Sequence, residues 1–236
     1  QEGGRKGLVK RLTDPETRTL IKKQVIQNIL FDRGGGDPKN VFISINEWDP
    51  SMAGKNLADL VVEKGMEPTP ENAAEVVFEI IEGGGAGAVF HAINSDDVDR
   101  IMQHPVTAIG SDGPVGKFGV GSPHPRQYGT FARVLGHYVR ERGVLELEDA
   151  VRKMTSLTSQ RLGIRNRGLI SEGYFADIAV FDADQIIDKA TFEDPHQYAT
   201  GMKFVLVNGE IVVKDGQHTG KRPGRIIYGP GHKNTN

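Results

Sequence analysis

The 236-residue sequence predicts an α/β protein that ends in a small β-rich unit. Over roughly the first 165 residues, apolar runs of strand length alternate with amphipathic helical stretches, an order typical of a parallel sheet or barrel. From Gly168 onward the helical pattern gives way to short apolar runs. Two of these runs flank Asn208-Gly209, which is a strong hairpin signal. We therefore place a domain boundary near residue 165.

Helix starts are marked near the beginning of the chain. Asp14 and Thr69 each precede a proline and an acidic residue, the arrangement of a capped first turn. A third, shorter helix is predicted from 56 to 63. Glycines that end these three helices stand at 34–36, 65 and 83–85. The apolar runs that follow the helices or lie between them predict strands at 41–45, 88–93 and 105–110.

Helices also dominate the middle of the chain, before the β-rich unit begins. Ser95 caps a predicted helix that carries Val98, Ile101 and Met102. Further helical segments are predicted at 131–139, 147–154 and 158–162. The strands of the β-rich unit are predicted at 176–182, 204–207 and 210–213.

Composition excludes several classes of protein. The net charge of -2, with basic and acidic residues mixed along the chain, provides no field that favours nucleic acid or an anionic membrane. The sequence contains no cysteine, so disulfides and cysteine-ligated zinc are excluded. Its apolar runs are far shorter than the roughly 20 residues of a membrane span. We expect a cytoplasmic protein with no nucleic-acid partner and no membrane partner.

The strongest functional signal lies between Val98 and Arg140. The apolar run 105–110 predicts a buried strand that stops just before Asp112. In an α/β barrel, the side chains that follow the carboxyl ends of the strands form the active site. A carboxylate in such a pocket can bind Zn²⁺ and take a proton from metal-bound water. Asp112 is therefore the first candidate for catalysis and metal binding, although an aspartate at this position can also simply cap a turn.

Four further residues are candidates for substrate binding. Arg126 lies between a proline and an aromatic helix start, a setting that suits bidentate capture of a carboxylate, although a surface arginine is the alternative. Ser111 and Gly113 flank the aspartate directly. His124 lies on the same loop as Arg126, where a solvated histidine is the alternative.

A complete set of metal ligands is not visible in the sequence. His91, at a predicted strand end, could be a ligand, but a core histidine with satisfied hydrogen bonds fits the position better. The sequence has no His-x-His and no H-E-x-x-H pattern. Zinc requires three or four protein ligands, and only Asp112 is apparent. The glycine runs lack the P-loop and dinucleotide-binding patterns, so phosphate binding is not predicted there.

Several stretches together resemble the N-acyl-D-amino-acid deacylase (D-aminoacylase) family of the amidohydrolase superfamily. They follow one another in order over about residues 95–228, whereas the earlier part of the chain matches more loosely. The stretches are IGSDG at 109–113, HPRQYGTFARVLG at 124–136, RKMTS at 152–156, RGLI at 167–170, TFEDP at 191–195 and VNG at 207–209.

The resemblance implies a fold and a reaction. The fold would be the C-terminal part of a TIM-like (β/α)8 metal-dependent hydrolase barrel at 1–165, with a lid-like insertion at about 47–81 and a small β-sandwich domain at 166–236. The reaction would be zinc-dependent hydrolysis of the amide bond of N-acyl-D-amino acids, with one or two Zn²⁺ ions. Asp112 would act as metal ligand and acid/base, and Arg126 would bind the substrate carboxylate.

The chain also departs from the family pattern. The family's N-terminal half carries a His-x-His and a bridging cysteine, and this sequence, which starts at Gln1 without a methionine, contains neither. We expect a C-terminal half that is inactive alone, with the other ligands supplied by a missing N-terminal half or by a second, complementing polypeptide. Two alternatives stay open. One is an amidohydrolase for cyclic amides or ureides, which Arg126 disfavours because those substrates lack the free carboxylate, and the other is a non-catalytic fragment or scaffold.

Overall fold

The computed structural model describes residues 3–229 and 231, and these form two compact units. The first unit contains residues 3–94, 116–124 and 192–195. The second contains 95–115, 125–191 and the described residues from 196 onward. In the described part of the chain, no helix is both long and apolar enough to cross a lipid bilayer.

The first unit combines helices with a two-stranded antiparallel sheet. Short 3₁₀ turns at Pro38–Asn40 and Pro50–Met52 lie before and after the first strand. The helices are α1 Gly4–Leu12, α2 Pro15–Phe31, α3 Leu57–Glu63 and α4 Pro70–Gly83, and the strands are β1 Val41–Ile45 and β2 Gly87–Phe90.

The predicted helix starts in the first unit are confirmed by their capping contacts. Asp14 accepts a hydrogen bond from the Thr17 N–H at 2.9 Å. Asn56 and Asp59 form a reciprocal capping box, and Thr69 Oγ1 accepts from the N–H of residue 72 at 3.2 Å. These short polar side chains satisfy backbone donors that the first helical turn leaves free.

The core of the first unit lies between α3, α4 and β1. Leu57, Val61 and Val76 are almost completely buried there, together with Ile43 of β1. Residues of the segment at 47–81 thus supply much of this core, because α3 and α4 turn their apolar faces towards β1. The role of this segment as a lid in a larger enzyme stays a prediction.

The second unit combines helices with a four-stranded antiparallel sheet in the order β3-β4-β5-β6. The turn between β4 and β5 is the predicted hairpin: Asn208 and Gly209 have φ values of 50° and 83°, as a type I′ turn requires. The helices are α5 Ser95–Gln103, α6 Arg126–Arg133, a π-helical continuation at Val134–Glu141, α7 Leu147–Met154 and α8 Ser156–Arg161. The strands are β3 Ile178–Phe181, β4 Met202–Val207, β5 Glu210–Lys214 and β6 Gln217–His218.

The prediction of a parallel sheet is wrong for the described residues, since β1 pairs antiparallel with β2 and the second sheet is antiparallel throughout. The predicted strand at 105–110 is also absent.

Segment 105–110 is apolar enough for a strand, but a strand forms only beside a partner strand. Its backbone contacts are made with a helix instead. The strand predicted at 88–93 ends at Phe90. The barrel and the β-sandwich stay predictions.

Two neighbouring valines of α3 provide a matched test of the first core. Val61 is completely buried, whereas Val62 is 57% exposed. We expect Val61→Ala to lower the free energy of unfolding by about 2 kcal/mol, because two buried methyl groups are lost and a cavity remains. Val62→Ala should change it by less than about 0.5 kcal/mol. Urea unfolding followed by fluorescence of Trp48, the one tryptophan in the sequence, reports on this unit. Equal losses for the two variants would contradict the packing.

An ion cluster joins α2 to α4. Arg18 Nη2 lies 2.6 Å from the Glu75 carboxylate, and Lys22 Nζ lies 2.7 Å from it. The hydrogen bond from Lys22 lowers the pKa of Glu75 most; partial burial opposes this effect, and Arg18 adds to the lowering. The folded state therefore favours the ionised carboxylate.

The pH dependence of stability tests this cluster. A carboxyl whose pKa is lowered on folding stabilises the protein above its unfolded pKa, and this contribution disappears as the pH falls through the folded value. At pH 7 we expect Glu75→Gln to cost less than about 1 kcal/mol, since the group is partly exposed to solvent. The cost should vanish in acid, and Lys22→Gln should behave in the same way. A cost that is equal at pH 7 and pH 3 would contradict the assignment.

Candidate active site

Asp112 has an unusual backbone conformation, with a φ of 46°. Left-handed geometry is unfavourable for residues other than glycine, although aspartate and asparagine adopt it most readily. Asn166, Asn208 and Asp215 also have positive φ; Asn208 and Asp215 lie in turns between paired strands, whereas Asn166, like Asp112, does not. Asp112 has no such strands beside it, so other contacts must hold its backbone. Conformations of this kind are concentrated at functional sites.

The structure brings Asp112 and Arg126 together. Arg126 is the first residue of α6, and its Nη2 lies 3.0 Å from Asp112 Oδ2. The aspartate side chain is 89% exposed and the arginine side chain 42% exposed. Because solvent screens an exposed pair, this ion pair contributes little to stability. A second carboxylate can therefore compete for the guanidinium at small cost.

The residues on either side of Asp112 shape its turn. Ser111 Oγ accepts a hydrogen bond from the Gly113 N–H at 3.3 Å, so the serine contact is local. Gly113 packs against the start of α6, where an added Cβ would lie 3.1 Å from Gln127 Cα and 3.3 Å from the Arg126 carbonyl oxygen. A side chain at this position would push the turn away from α6. Gly113 thus permits the approach that places Asp112 beside Arg126.

The segment before Asp112 is held by α7. Lys153 Nζ donates to the carbonyl of His104 at 2.5 Å and to that of Thr107 at 3.3 Å. Arg152 Nη2 donates to the Pro105 carbonyl at 2.7 Å, and the Ile109 N–H donates to the Lys153 carbonyl at 3.2 Å. Sequence reasoning used the Arg152-Lys153 pair only as part of the family resemblance. The sequence does contain a sign that Lys153 is buried: it lies three positions after Ala150, on the apolar face of α7, and both residues are buried in the structure.

His124 belongs to the first unit, where its ring packs edge-on against Phe192 at a centroid distance of 4.9 Å. His91 contacts the same phenylalanine at 4.1 Å and Phe42 at 5.3 Å. The Nε2 atom of His91 is buried and has no hydrogen-bond partner in the described structure. His91 is therefore packed among aromatic rings, but its Nε2 without a partner and its intermediate burial differ from the satisfied core histidine that the sequence predicts. Substrate binding by His124 stays a prediction.

The described residues do not provide a complete zinc site. Within 3–229 and 231, no group of three or more histidine, cysteine, aspartate or glutamate side chains is arranged to hold a metal ion. Asp112 offers one exposed carboxylate, and zinc needs three or four protein ligands. Asp112 could therefore be one ligand of a metal site, but it cannot hold a zinc ion alone.

Known proteins match a large part of this chain. The model of the amidohydrolase family matches residues 56–213. A D-aminoacylase from Alcaligenes xylosoxydans xylosoxydans is 42% identical over 179 residues, which cover 75% of this chain and 34% of the relative. An N-acyl-D-aspartate deacylase from the same organism is 40% identical over 180 residues, with the same coverage. The chain thus spans about a third of the length of these curated relatives.

Solved structures lead to the same group. One is an N-acyl-D-glutamate deacylase from Bordetella bronchiseptica in complex with zinc and a phosphonate mimic of the tetrahedral intermediate. Its TM-score with this chain is 0.67 and its sequence identity is 34%, and the match covers 82% of this chain and 38% of the deacylase. Another is a D-aminoacylase with a binuclear metal centre. Its TM-score with this chain is 0.68 and its sequence identity is 34%, and the match covers 85% of this chain and 44% of the D-aminoacylase. These relatives confirm the resemblance to N-acyl-D-amino-acid deacylases. Since the family model matches more than half of the chain, this protein belongs to the amidohydrolase family.

Proposed function

We propose that this chain carries the acid–base group and the carboxylate-binding group of a zinc-dependent N-acyl-D-amino-acid deacylase. The reaction is hydrolysis of the amide bond, which gives a D-amino acid and a carboxylate. The observation that carries the proposal is the direct contact between Asp112 and Arg126 in a region that the deacylase relatives match. A proton-transfer group and a carboxylate anchor are the two functions that this substrate class needs on the amino-acid side of its amide bond.

The covalent structure of the substrate connects the two residues. In an N-acyl amino acid, the carboxylate carbon and the amide nitrogen are both bonded to Cα, so they lie about 2.5 Å apart. The guanidinium of Arg126 can bind the carboxylate through two parallel hydrogen bonds. Because Asp112 lies 3.0 Å from that guanidinium, a carboxylate bound there brings the scissile nitrogen close to the aspartate. The anchor therefore also aligns the bond to be cleaved.

Asp112 then handles the proton. As a base it accepts a proton from the water that attacks the acyl carbonyl, and as an acid it donates this proton to the amide nitrogen. The C–N bond breaks as that nitrogen becomes an amine, so no amide anion has to leave. The water oxygen remains on the acyl carbon and forms the new carboxylate. Relatives that act on N-acyl-D-aspartate and N-acyl-D-glutamate support this choice of substrate class.

We include one or two zinc ions in the proposal because a solved relative contains zinc and another has a binuclear metal centre. A bound zinc ion polarises a carbonyl and makes its water more acidic. Asp112 would contribute one ligand. The described residues 3–229 and 231 provide no group of side chains that completes the site, so the remaining ligands would lie outside them. We therefore expect the isolated chain to be inactive. Hydrolysis of cyclic amides or ureides would leave Arg126 without a carboxylate to bind, and a scaffold would have no use for Asp112.

Substitution of Asp112 tests the acid–base role. In the active protein that contains this chain, Asp112→Asn should lower kcat by about 10²–10⁴-fold, because the amide cannot accept and return the proton. Asp215→Asn is the matched control, since Asp215 has the same left-handed backbone but lies in the turn between β5 and β6. We expect full activity from the control in assays of acyl release from N-acetyl-D-amino acids. An active Asp112→Asn enzyme would refute the acid–base role.

Substitution of Arg126 tests carboxylate recognition. Arg126→Met should lower kcat/KM for an N-acetyl-D-amino acid by about 10–100-fold, the value of a charge-assisted hydrogen bond. It should have little effect on the corresponding amino-acid amide, which lacks the carboxylate. Arg126→Lys should recover part of the loss, because lysine keeps the charge but not the planar fork.

The control for this pair of substrates is Arg225→Met, since Arg225 is exposed near the end of the described chain. This variant should process both substrates normally. Equal losses on the acid and the amide in Arg126→Met would mean that Arg126 does not bind the carboxylate.

A further inference from the structure

The second unit contains a fully buried lysine, Lys153 of α7, with a relative exposure of 0%. An ammonium group is strongly hydrated, so burying it is unfavourable unless its donors find acceptors inside the protein. The group has three N–H donors and no acceptor. A lysine that is retained at such a position has contacts that compensate for the lost water.

The acceptors of Lys153 lie on the chain that leads to Asp112. Its Nζ donates to the carbonyls of His104 and Thr107, and it lies 3.6 Å from Asp149 Oδ2 on the same helix. His104 is the first residue after α5. The buried charge therefore spans the beginning of the irregular segment between α5 and the Asp112 turn.

This segment has few other constraints on its backbone. The N–H of Thr107 donates to the His104 carbonyl, and the N–H of Ile109 donates to the backbone carbonyl of Lys153. Arg152 binds the Pro105 carbonyl. Between 104 and 109, α7 thus supplies contacts of the kind that a neighbouring strand supplies in a sheet. Lys153 takes part through both its side chain and its backbone.

These contacts end three residues before Asp112. On the other side of the aspartate, Gly113 packs against the start of α6. The turn is therefore fixed from α7 before Asp112 and from α6 after it. A left-handed aspartate keeps its geometry only where its surroundings determine it.

We propose that Lys153 is a positioning residue for Asp112, because its buried ammonium fixes segment 104–109 and thereby sets the place of the carboxylate beside Arg126. This inference rests on the proposed function of Asp112. Lys153 touches neither the substrate nor the reacting atoms in this scheme. Its effect is on the probability that Asp112 occupies the productive position.

Replacement by methionine separates positioning from stability. Methionine has a similar length and no charge, and apolar replacements of buried ions often leave a fold as stable as before. The carbonyls that lose their donor can turn to water, because His104 is exposed and Thr107 is only partly buried. Lys153→Met should therefore loosen the segment without unfolding the second unit.

The experiment uses the active protein that contains this chain. We expect Lys153→Met to lower kcat by about 10–100-fold, the effect of a small displacement of a catalytic group, with KM nearly unchanged. Amide hydrogen exchange should accelerate in residues 107–113, most clearly at the Ile109 N–H, and remain slow elsewhere. Lys153→Arg should recover part of kcat, since it keeps a charged donor. Lys203→Met, at an exposed position of β4, is the control and should match the parent.

Each outcome bears on a different claim. Unchanged kcat and unchanged hydrogen exchange in Lys153→Met would overturn the inference about Lys153. The proposed function would still stand if Asp112→Asn were inactive. Faster exchange throughout the second unit would also overturn it, because the lysine would then be a general structural residue. A parent protein without deacylase activity would refute the proposed function. Faster exchange confined to 107–113 would in that case still establish that Lys153 holds the segment.

Discussion

The buried ammonium of Lys153 and its backbone acceptors are the contacts on which, in our proposal, the candidate site depends. Segment 104–109 is largely apolar, yet none of its residues belongs to a strand. Its carbonyls are bound by Lys153 and Arg152 of α7, which take the place of a sheet neighbour. Because one helix makes these contacts, a shift of α7 would move the Asp112 turn with it. The position of the carboxylate therefore depends on the contacts between α7 and segment 104–109.

In the proposed function, the contact between Asp112 and Arg126 joins two requirements of amide hydrolysis in one pair. The arginine suits a carboxylate, and the aspartate suits proton transfer at a nitrogen about 2.5 Å from that carboxylate carbon. The pair is exposed and only weakly stabilising, so binding of the substrate can replace the internal contact. This exchange also explains why an acidic and a basic group can share a site without blocking each other.

Features that depend on neighbouring residues could be predicted from the sequence. The cap at Asp14 and the hairpin at Asn208-Gly209 involve only a few consecutive residues, and both are confirmed. The strand at 105–110 was predicted wrongly, because apolar composition cannot reveal whether a partner strand is present. The contacts of Lys153 cannot be predicted for the same reason, because its acceptors lie more than 40 residues away along the chain. The local setting and the family resemblance indicate Asp112 and Arg126 as candidates, whereas their contact is visible only in the folded structure.

The most direct test of the proposed function is to measure intact mass, zinc content and deacylase activity on the native protein and on the isolated 25.8 kDa chain. If the proposed function is correct, the active protein that contains this chain holds one or two zinc ions and hydrolyses N-acetyl-D-amino acids. The account predicts that the isolated chain does neither, because its described residues offer one suitable carboxylate. Stoichiometric zinc and full activity in the isolated chain would contradict the account, as would a native protein with no zinc and no hydrolysis.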